Sequence, residues 1–135
     1  MNILLTHHNL ISIVDKIQER GSMEITGSTD FKEVLAVVQA KQVEKLGIVF
    51  EAKGIQTLDL IKKVYTMDPI LPVLAWDCSG LYFEGLSDYP ELLEDHIFFI
   101  KSSEFKKDSF FECFDKFFSG NLTAFDITEF EQSNS

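Results

Sequence analysis

The sequence predicts an α/β domain built around a parallel, doubly wound sheet of five strands. Short apolar runs alternate along the chain with longer stretches of helical periodicity, which is the pattern that βαβ units produce. One run, Leu46–Phe50, is almost entirely apolar, as expected of a central strand that is covered on both faces. The chain of 135 residues has the length of one domain. Right-handed crossovers would then place the helices on both faces of the sheet.

Five strands are predicted from apolar runs that polar or turn-forming residues bound. The first is followed by the polar group Thr6–Asn9, and the second is polar enough to suit a sheet edge. The fourth contains Pro72, which a strand tolerates near its start. The predicted strands are Ile3–Leu5, Met23–Gly27, Leu46–Phe50, Leu71–Ala75 and Ile97–Ile100.

Helices are predicted between and after these strands from apolar periodicity and capping residues. Asp30 with Glu33 forms a capping-box-like start, and Asp88 with Pro90 suggests an N-cap and first residue of a short helix. The predicted helices are Leu10–Arg20, Phe31–Gln42, Thr57–Tyr65, Pro90–Glu94 and Glu104–Ser119, so that residues 1–120 form one domain. The tail, 121–135, either packs back on that domain or is a short mobile terminus.

The negative charge of the chain argues against nucleic acid and membranes as partners. The formal net charge is −10, from 22 acidic and 12 basic side chains, and such a surface repels nucleic acid and anionic lipid. No stretch approaches the length of a membrane span, and the N-terminus lacks the features of a signal peptide. Cys78 and Cys113 form no metal or redox motif. We therefore expect a cytoplasmic protein with reduced thiols and a protein partner.

The residues that follow the predicted strands are the candidates for a site, because ligands bind at the carboxyl ends of parallel strands. They include His7, His8, Glu51, Asp77 and Lys101. Together with the fourth-strand run 71–74 and the fifth-strand run 98–101, they resemble the receiver domains of two-component response regulators, over roughly residues 2–119. The resemblance implies a flavodoxin-like, CheY-like (βα)5 fold.

The resemblance also implies a role for each of these positions. His7 and His8 occupy the positions of the acidic pair that holds Mg²⁺, and Glu51 stands at the phosphorylated aspartate. Asp77 aligns with a threonine or serine, and Lys101 matches the lysine of the family. Two imidazoles replace two carboxylates poorly as Mg²⁺ ligands, and the longer Glu51 side chain displaces the acceptor oxygen by a distance that can cost about a hundredfold in rate. Asp77 would repel a phosphoryl group. These departures predict a degenerate receiver, or pseudo-receiver.

The function expected from this reading is phosphorylation-independent regulation through protein–protein interaction, without enzymatic activity, cofactor or metal. One alternative is a phosphoacceptor response regulator with an unusual site. Another is an accessory domain of an enzyme assembly, which resembles the N-terminal wing of some bacterial amino-acid decarboxylases. A third is a transition-metal site formed by His7 or His8 with Glu51 and Asp77, since imidazole and carboxylate suit Zn²⁺. Lys101 would form a salt bridge with Glu51 or Asp77.

Aromatic residues dominate the predicted last helix and fifth strand. Phe98 aligns with the switch aromatic of receivers. The apolar stripe of the helix is wider than one sheet-facing seam needs. Either its rings complete the core, together with Phe125, Ile127 and Phe130 of the tail, or part of the stripe is an exposed association surface. The second interpretation predicts a homodimer through Phe99, Phe110, Phe114, Phe117 and Phe118.

Overall fold

The fold is described by a computed structural model that covers residues 1–6, 12–20, 24–50, 54–77, 86–101, 108–123 and 126–127. Five strands lie in this part of the chain: β1 (Asn2–Thr6), β2 (Thr26–Ser28), β3 (Lys45–Phe50), β4 (Val73–Asp77) and β5 (Ile97–Lys101). Four α-helices accompany them: α1 (Ser12–Arg20), α2 (Phe31–Gln39), α3 (Gly54–Met67) and α4 (Asp108–Phe118).

The strands form one sheet in the order β2-β1-β3-β4-β5, and every pair is parallel. This order, 2-1-3-4-5, is that of flavodoxin-like and CheY-like domains, in which the chain changes direction between β1 and β3. The predicted fold class is therefore confirmed. β2 is shorter than predicted and lies at one edge of the sheet, which suits its polar sequence.

Two apolar layers sandwich the sheet, because successive strand residues point to opposite faces. Val73 and Ala75 of β4 belong to the layer shared with α2 and α3, whereas Leu74 and Trp76 belong to the layer shared with α1 and α4. The contacts between α2 and α3 and between α1 and α4 agree with this division. None of the helices in the described ranges is long and apolar enough to cross a membrane.

Residues with positive φ terminate two of the helices. Beyond the end of α2, Lys41 has a φ of 59°, and the N–H of Gln42 donates to the carbonyl of Val37 at 3.1 Å. Beyond the end of α4, Gly120 has a φ of 82°, and the N–H of Asn121 donates to the carbonyl of Lys116 at 2.8 Å. Both ends have the hydrogen-bond pattern of a Schellman motif. The predicted stop at Gly120 is confirmed, whereas α2 ends three residues earlier than predicted.

β4 begins later in the sequence than predicted. The N–H of Leu71 donates to the carbonyl of Asp68, which keeps Leu71 in a turn after α3. Pro72 has no N–H to give to a ladder, although its carbonyl accepts from Leu46 at 3.0 Å. The strand therefore runs from Val73 to Asp77, and Asp77 lies within β4 rather than after it.

The connection from β4 to β5 contains a 3₁₀ turn at Pro90–Leu92 where a short helix was predicted. Leu92 is fully buried and belongs to the layer of α3. The hydroxyl of Tyr89 donates a hydrogen bond to the carboxylate of Asp59 on α3. This bond raises the pKa of Tyr89, with partial burial and the Asp59 charge acting in the same direction. The turn is thus attached to α3 by an apolar and a polar contact.

Candidate functional site

The carboxyl ends of four strands meet at one edge of the sheet. β1 ends at Thr6, β3 at Phe50, β4 at Asp77 and β5 at Lys101. Thr6 is the register partner of Val49, Phe50 that of Asp77, and Asp77 that of Lys101. Thr6 and Phe50 therefore end their strands at the edge where Asp77 and Lys101 lie.

The predicted receiver-site residues divide into two groups in the structure. His7, His8 and Glu51 lie outside the described residues. Asp77 and Lys101 are placed by their backbone as direct partners on neighbouring strands, with about 4.8 Å between such strands. The predicted salt bridge from Lys101 to Glu51 or Asp77 remains a prediction, and this register brings the last two residues together.

Thr6 is a residue at this edge whose side chain has a defined hydrogen-bond partner. Its hydroxyl donates to the carbonyl of Val49 at 2.9 Å, and the residue is buried. The hydrogen bond satisfies a polar group that would otherwise be costly to bury. Thr6 therefore ties β1 to β3 and has a structural role at the edge.

Two predicted aromatic residues of β5 lie on opposite faces of the edge strand. Phe98, the equivalent of the switch aromatic, is half-buried against the α1–α4 layer. Its ring meets that of Phe117 edge to face, with 6.2 Å between the centroids. Phe99 is half-buried against the α2–α3 layer. Both rings therefore retain an accessible part at the margin of the sheet.

The remaining residues of the predicted association surface are core residues, which corrects that prediction. Phe110, Phe114 and Phe118 are fully buried, and Phe117 is 2% exposed. Trp76 of β4 packs against Phe110 at 4.6 Å between ring centroids, in an edge-to-face arrangement. These rings cannot bind a second copy while they fill the layer between α4 and the sheet. Their burial supports the other interpretation, that the stripe completes the core.

Gly47 explains how α4 accommodates so many rings. A Cβ at this position of the central strand would lie 2.8 Å from Leu4 Cδ1, 3.0 Å from Phe114 Cε1 and 3.1 Å from Phe118 Cζ. These separations are shorter than ordinary carbon contacts. The absent side chain leaves the space that the rings of α4 occupy. The sequence signal was a glycine inside an otherwise apolar central strand.

The described part of the tail packs back on the domain. Leu122 and Ile127 contact the α1–α4 layer. Thr123 begins a helical turn, because the N–H of Ile127 donates to its carbonyl at 3.2 Å. The Thr123 hydroxyl accepts from the N–H of Asp126, and the Asp126 carboxylate accepts from the N–H of Thr123. These reciprocal bonds form a capping box, which the spacing of Thr123 and Asp126 could have revealed.

An ion pair attaches this turn to α4. Lys116 Nζ lies 3.0 Å from Asp126 Oδ1, and both side chains are partly buried. The Lys116 hydrogen bond lowers the pKa of Asp126, the bonds from Thr123 lower it further, and partial burial opposes them. Asp126 is therefore a carboxylate at neutral pH.

An open groove, which the sequence does not predict, separates β5 from the described part of the tail. Its volume is about 380 Å³. Apolar side chains from both segments line it, and two exposed acidic side chains stand beside them. The lining residues are Glu94, Asp95, Ile97, Phe98, Phe99, Leu122, Thr123 and Ile127. The groove lies where Phe98 and Phe99 remain accessible.

The cysteine and metal predictions are tested only in part. Cys113 is a free, buried thiol on α4, and burial raises its pKa strongly. Such a thiol is a poor nucleophile at neutral pH. Cys78 lies outside the described residues. Within the ranges that the structure covers, no group of three or more His, Cys, Asp or Glu side chains could hold a metal ion; the proposed ligands His7, His8 and Glu51 fall outside these ranges.

Comparisons with protein-family models, with curated proteins and with solved structures find no significant match for this chain.

Proposed function

We propose that this domain is a phosphorylation-independent regulatory module, of pseudo-receiver type, that acts by binding another protein. The observation that carries the proposal is the apolar groove beside the edge strand, where Phe98 and Phe99 are half-buried. Concave apolar sites with a few polar side chains are the usual form of a binding site. The receiver-like strand order supports the regulatory class, although a fold alone does not define a function.

The chemistry of the strand ends supports a function without phosphotransfer. His7 and His8 in sequence follow β1, where a receiver-type magnesium site would need carboxylates. Asp77 adds a negative charge at the end of β4, next to the end of β3. A phosphoryl group, which is itself anionic, would be repelled there. The predicted salt bridge from Lys101, the register partner of Asp77, would compensate this charge within the protein.

The burial of the α4 rings limits how the domain could associate. A homodimer through the last helix would have to extract Phe114 and Phe118 from the core. Replacing one buried aromatic side chain by alanine typically costs roughly 3–5 kcal/mol of stability. An association surface at this end of the molecule is therefore proposed to consist of β5 and the tail, without the α4 rings.

The proposal is tested by amide NMR of the full chain with Mg²⁺ and beryllofluoride, which mimics a phosphoryl group. We expect the amide resonances of Asp77 and Lys101 to remain unchanged, because the magnesium and acceptor positions are altered. A phosphorylatable receiver in the same buffer is the positive control. Saturable shifts at both amides that require Mg²⁺ would contradict the proposal and favour a phosphoacceptor with an unusual site.

A further inference from the structure

We propose that the groove between β5 and the tail binds a basic, apolar segment of a partner protein. The inference rests on the proposed protein-binding function and adds the chemistry of the partner. Its three supports are the shape of the groove, the charge of the two segments that border it, and the ion pair that fixes its tail side.

The shape of the groove suits a few side chains of a peptide. Ile97 and Phe99 contribute from β5, and Leu122 and Ile127 contribute from the tail, so that apolar atoms form most of its floor. Its volume of about 380 Å³ is near the lower end of the roughly 300–1,000 Å³ found for ligand sites. A site of this size accepts one or two apolar side chains and leaves the rest of the partner segment along the rim.

The described residues that flank the groove, 86–96 before β5 and 121–123 with 126–127 in the tail, include acidic residues and no lysine or arginine. The acidic ones are Asp88, Glu91, Glu94, Asp95 and Asp126. The chain as a whole has 22 acidic and 12 basic residues among 135, so these flanking residues are more acidic than the average of the chain. Charge complementarity across an interface accelerates association and selects partners.

The acidic rim retains charge that the described residues do not neutralise. Glu94 and Asp95 are both exposed. The Glu94 carboxylate accepts a hydrogen bond from the Tyr65 hydroxyl at 3.4 Å, which leaves its charge in place. In the ranges covered by the structure, the ion pairs of carboxylates involve Asp68, Glu91 and Asp126 and not these two. Lysine or arginine of a partner would therefore find two carboxylates that no described side chain pairs with.

The tail side of the groove has a fixed position. The capping box of Thr123 and Asp126 and the Lys116–Asp126 ion pair hold Leu122 and Ile127 against the α1–α4 layer. Asp126 is thereby used inside the domain, which leaves Glu94 and Asp95 as the charges offered to a partner. A preformed site loses less conformational entropy on binding than one that must be ordered.

A second copy of the chain fits this groove poorly. A symmetric dimer brings the same patch of both subunits together. Here each patch would oppose Glu94 and Asp95 with their own equivalents, and each subunit carries a net charge of −10. Like charges placed opposite one another disfavour such an interface. The occupant with complementary charge is a cationic segment with apolar side chains.

The experiment measures binding of a short fluorescent peptide that alternates lysine with leucine to the full chain. Two matched peptides replace every lysine by glutamate or every leucine by serine. We expect saturable binding of the lysine–leucine peptide, at least about tenfold tighter than that of either control, with amide shifts at Phe98, Phe99, Leu122 and Ile127. Binding should weaken as salt is added.

Charge reversal locates the site. The double variant Glu94→Lys/Asp95→Lys should bind the lysine–leucine peptide about tenfold or more weakly than the original protein. It should bind the glutamate–leucine peptide more tightly. Glu33→Lys/Glu44→Lys changes the net charge equally at exposed positions on and beyond α2, and serves as the control. All four positions are exposed, so both variants should fold, which circular dichroism checks.

Three outcomes would overturn the inference. The first is no binding of the lysine–leucine peptide, and the second is equal weakening by both double variants, which would indicate net charge alone. The third is a concentration-dependent dimer in sedimentation that Glu94→Lys/Asp95→Lys abolishes, since a second copy would then be the occupant. None of these outcomes depends on the result of the beryllofluoride experiment, so this inference and the proposed function can fail separately.

Discussion

Gly47 lies in the central strand directly beneath the rings of Phe114 and Phe118. We predict that Gly47→Ala destabilises the protein by about 1–3 kcal/mol, because the new methyl group overpacks a layer of rigid rings. Urea unfolding followed by the fluorescence of the one tryptophan, Trp76, measures the change. Gly27 in the edge strand β2 is exposed, and Gly27→Ala should change the stability by less than about 0.5 kcal/mol. Equal effects of the two substitutions would contradict this account of the α4 layer.

Lys41 adopts a left-handed conformation that favours glycine, and its side chain acts across two helices. Lys41 Nζ donates to the carbonyl of Met67 at 2.6 Å, at the end of α3, and lies 3.7 Å from Asp68. Lys41→Ala loses these contacts and keeps the backbone strain, whereas Lys41→Gly loses the contacts and relieves the strain. We predict that the glycine variant is more stable than the alanine variant by about 1 kcal/mol, measured by thermal unfolding.

Gln39, two residues earlier, provides the opposite comparison. It is exposed and is the last residue of α2, with helical backbone. The variant Gln39→Gly should be less stable than Gln39→Ala by about 0.5–1 kcal/mol, because this residue has helical backbone. If the alanine variant is the more stable one at position 41 as well as at position 39, the positive φ of Lys41 does not lower the stability of the protein.

At the scale of elements, the attachment of the tail depends on the charge of Asp126. Because its pKa in the folded protein is lowered, the stabilisation is complete above the usual aspartate pKa of about 3.9 and is lost as the pH falls through the lowered value. We predict that the methyl resonances of Leu122 and Ile127 show an acid transition below about pH 4. In Asp126→Asn this transition should disappear, and the methyl groups should already be displaced at neutral pH.

Glu112→Gln is the matched control for this titration. Glu112 is an exposed carboxylate on α4, the helix that carries Lys116, and its removal leaves the ion pair intact. The acid transition should persist in this variant. If it disappears instead, a general effect of charge on α4 would explain the titration better than the Lys116–Asp126 pair.

Element boundaries show what the sequence determines and what tertiary contacts decide. The start of α2 follows from Asp30, whose carboxylate accepts from the N–H groups of Lys32 and Glu33, and the sequence predicts it. The start of β4 depends on which residues can join the ladder, and Pro72 cannot donate. Pro72 is the sign of this shift in the sequence, whereas the hydrogen bond from Leu71 to Asp68 is not visible there; the shift places Asp77 inside the strand.

For the aromatic helix α4, the spacing of apolar residues predicts a helix but does not predict whether its rings are buried or exposed. A helix that is apolar over a wide stripe fits both a deep core and an exposed patch. The difference lies in distant residues, since Gly47 makes room for the rings and Leu122 and Ile127 cover their margin. For the same reason the groove was not anticipated: its walls come from segments that are far apart in sequence.

At the scale of the whole molecule, the parallel sheet follows from the alternation of elements and its CheY-like form is implied by the resemblance to receivers, whereas the function depends on a few side chains. The parallel, doubly wound sheet is predicted because helical stretches alternate with the apolar runs and crossovers between parallel strands are as a rule right-handed. The site at the carboxyl edge is predicted only as far as Asp77 and Lys101, which the backbone places together. His7, His8 and Glu51 remain sequence-based candidates.

The excess of negative charge predicts how salt affects stability. A net charge of −10 disfavours the folded state through repulsion within the molecule, and salt screens this repulsion over a Debye length of about 10 Å at 0.1 M. We predict that the midpoint of thermal unfolding rises as sodium chloride is added from low ionic strength. The variant Glu94→Gln/Asp95→Asn, which removes two neighbouring charges, should show a weaker dependence. A midpoint that falls with salt would indicate that attractive ion pairs dominate instead.

The order in which the chain is synthesised gives the α4 layer a further consequence. Leu4, Val49 and Trp76 lie on strands that leave the ribosome before residues 110–118, which cover them. At roughly 5–20 residues per second, the newly made sheet would present this apolar face for about a second or more after β5 is complete. A nascent chain that stalls before α4 would expose a ready substrate for chaperones, and truncation after β5 should yield aggregates rather than a smaller domain.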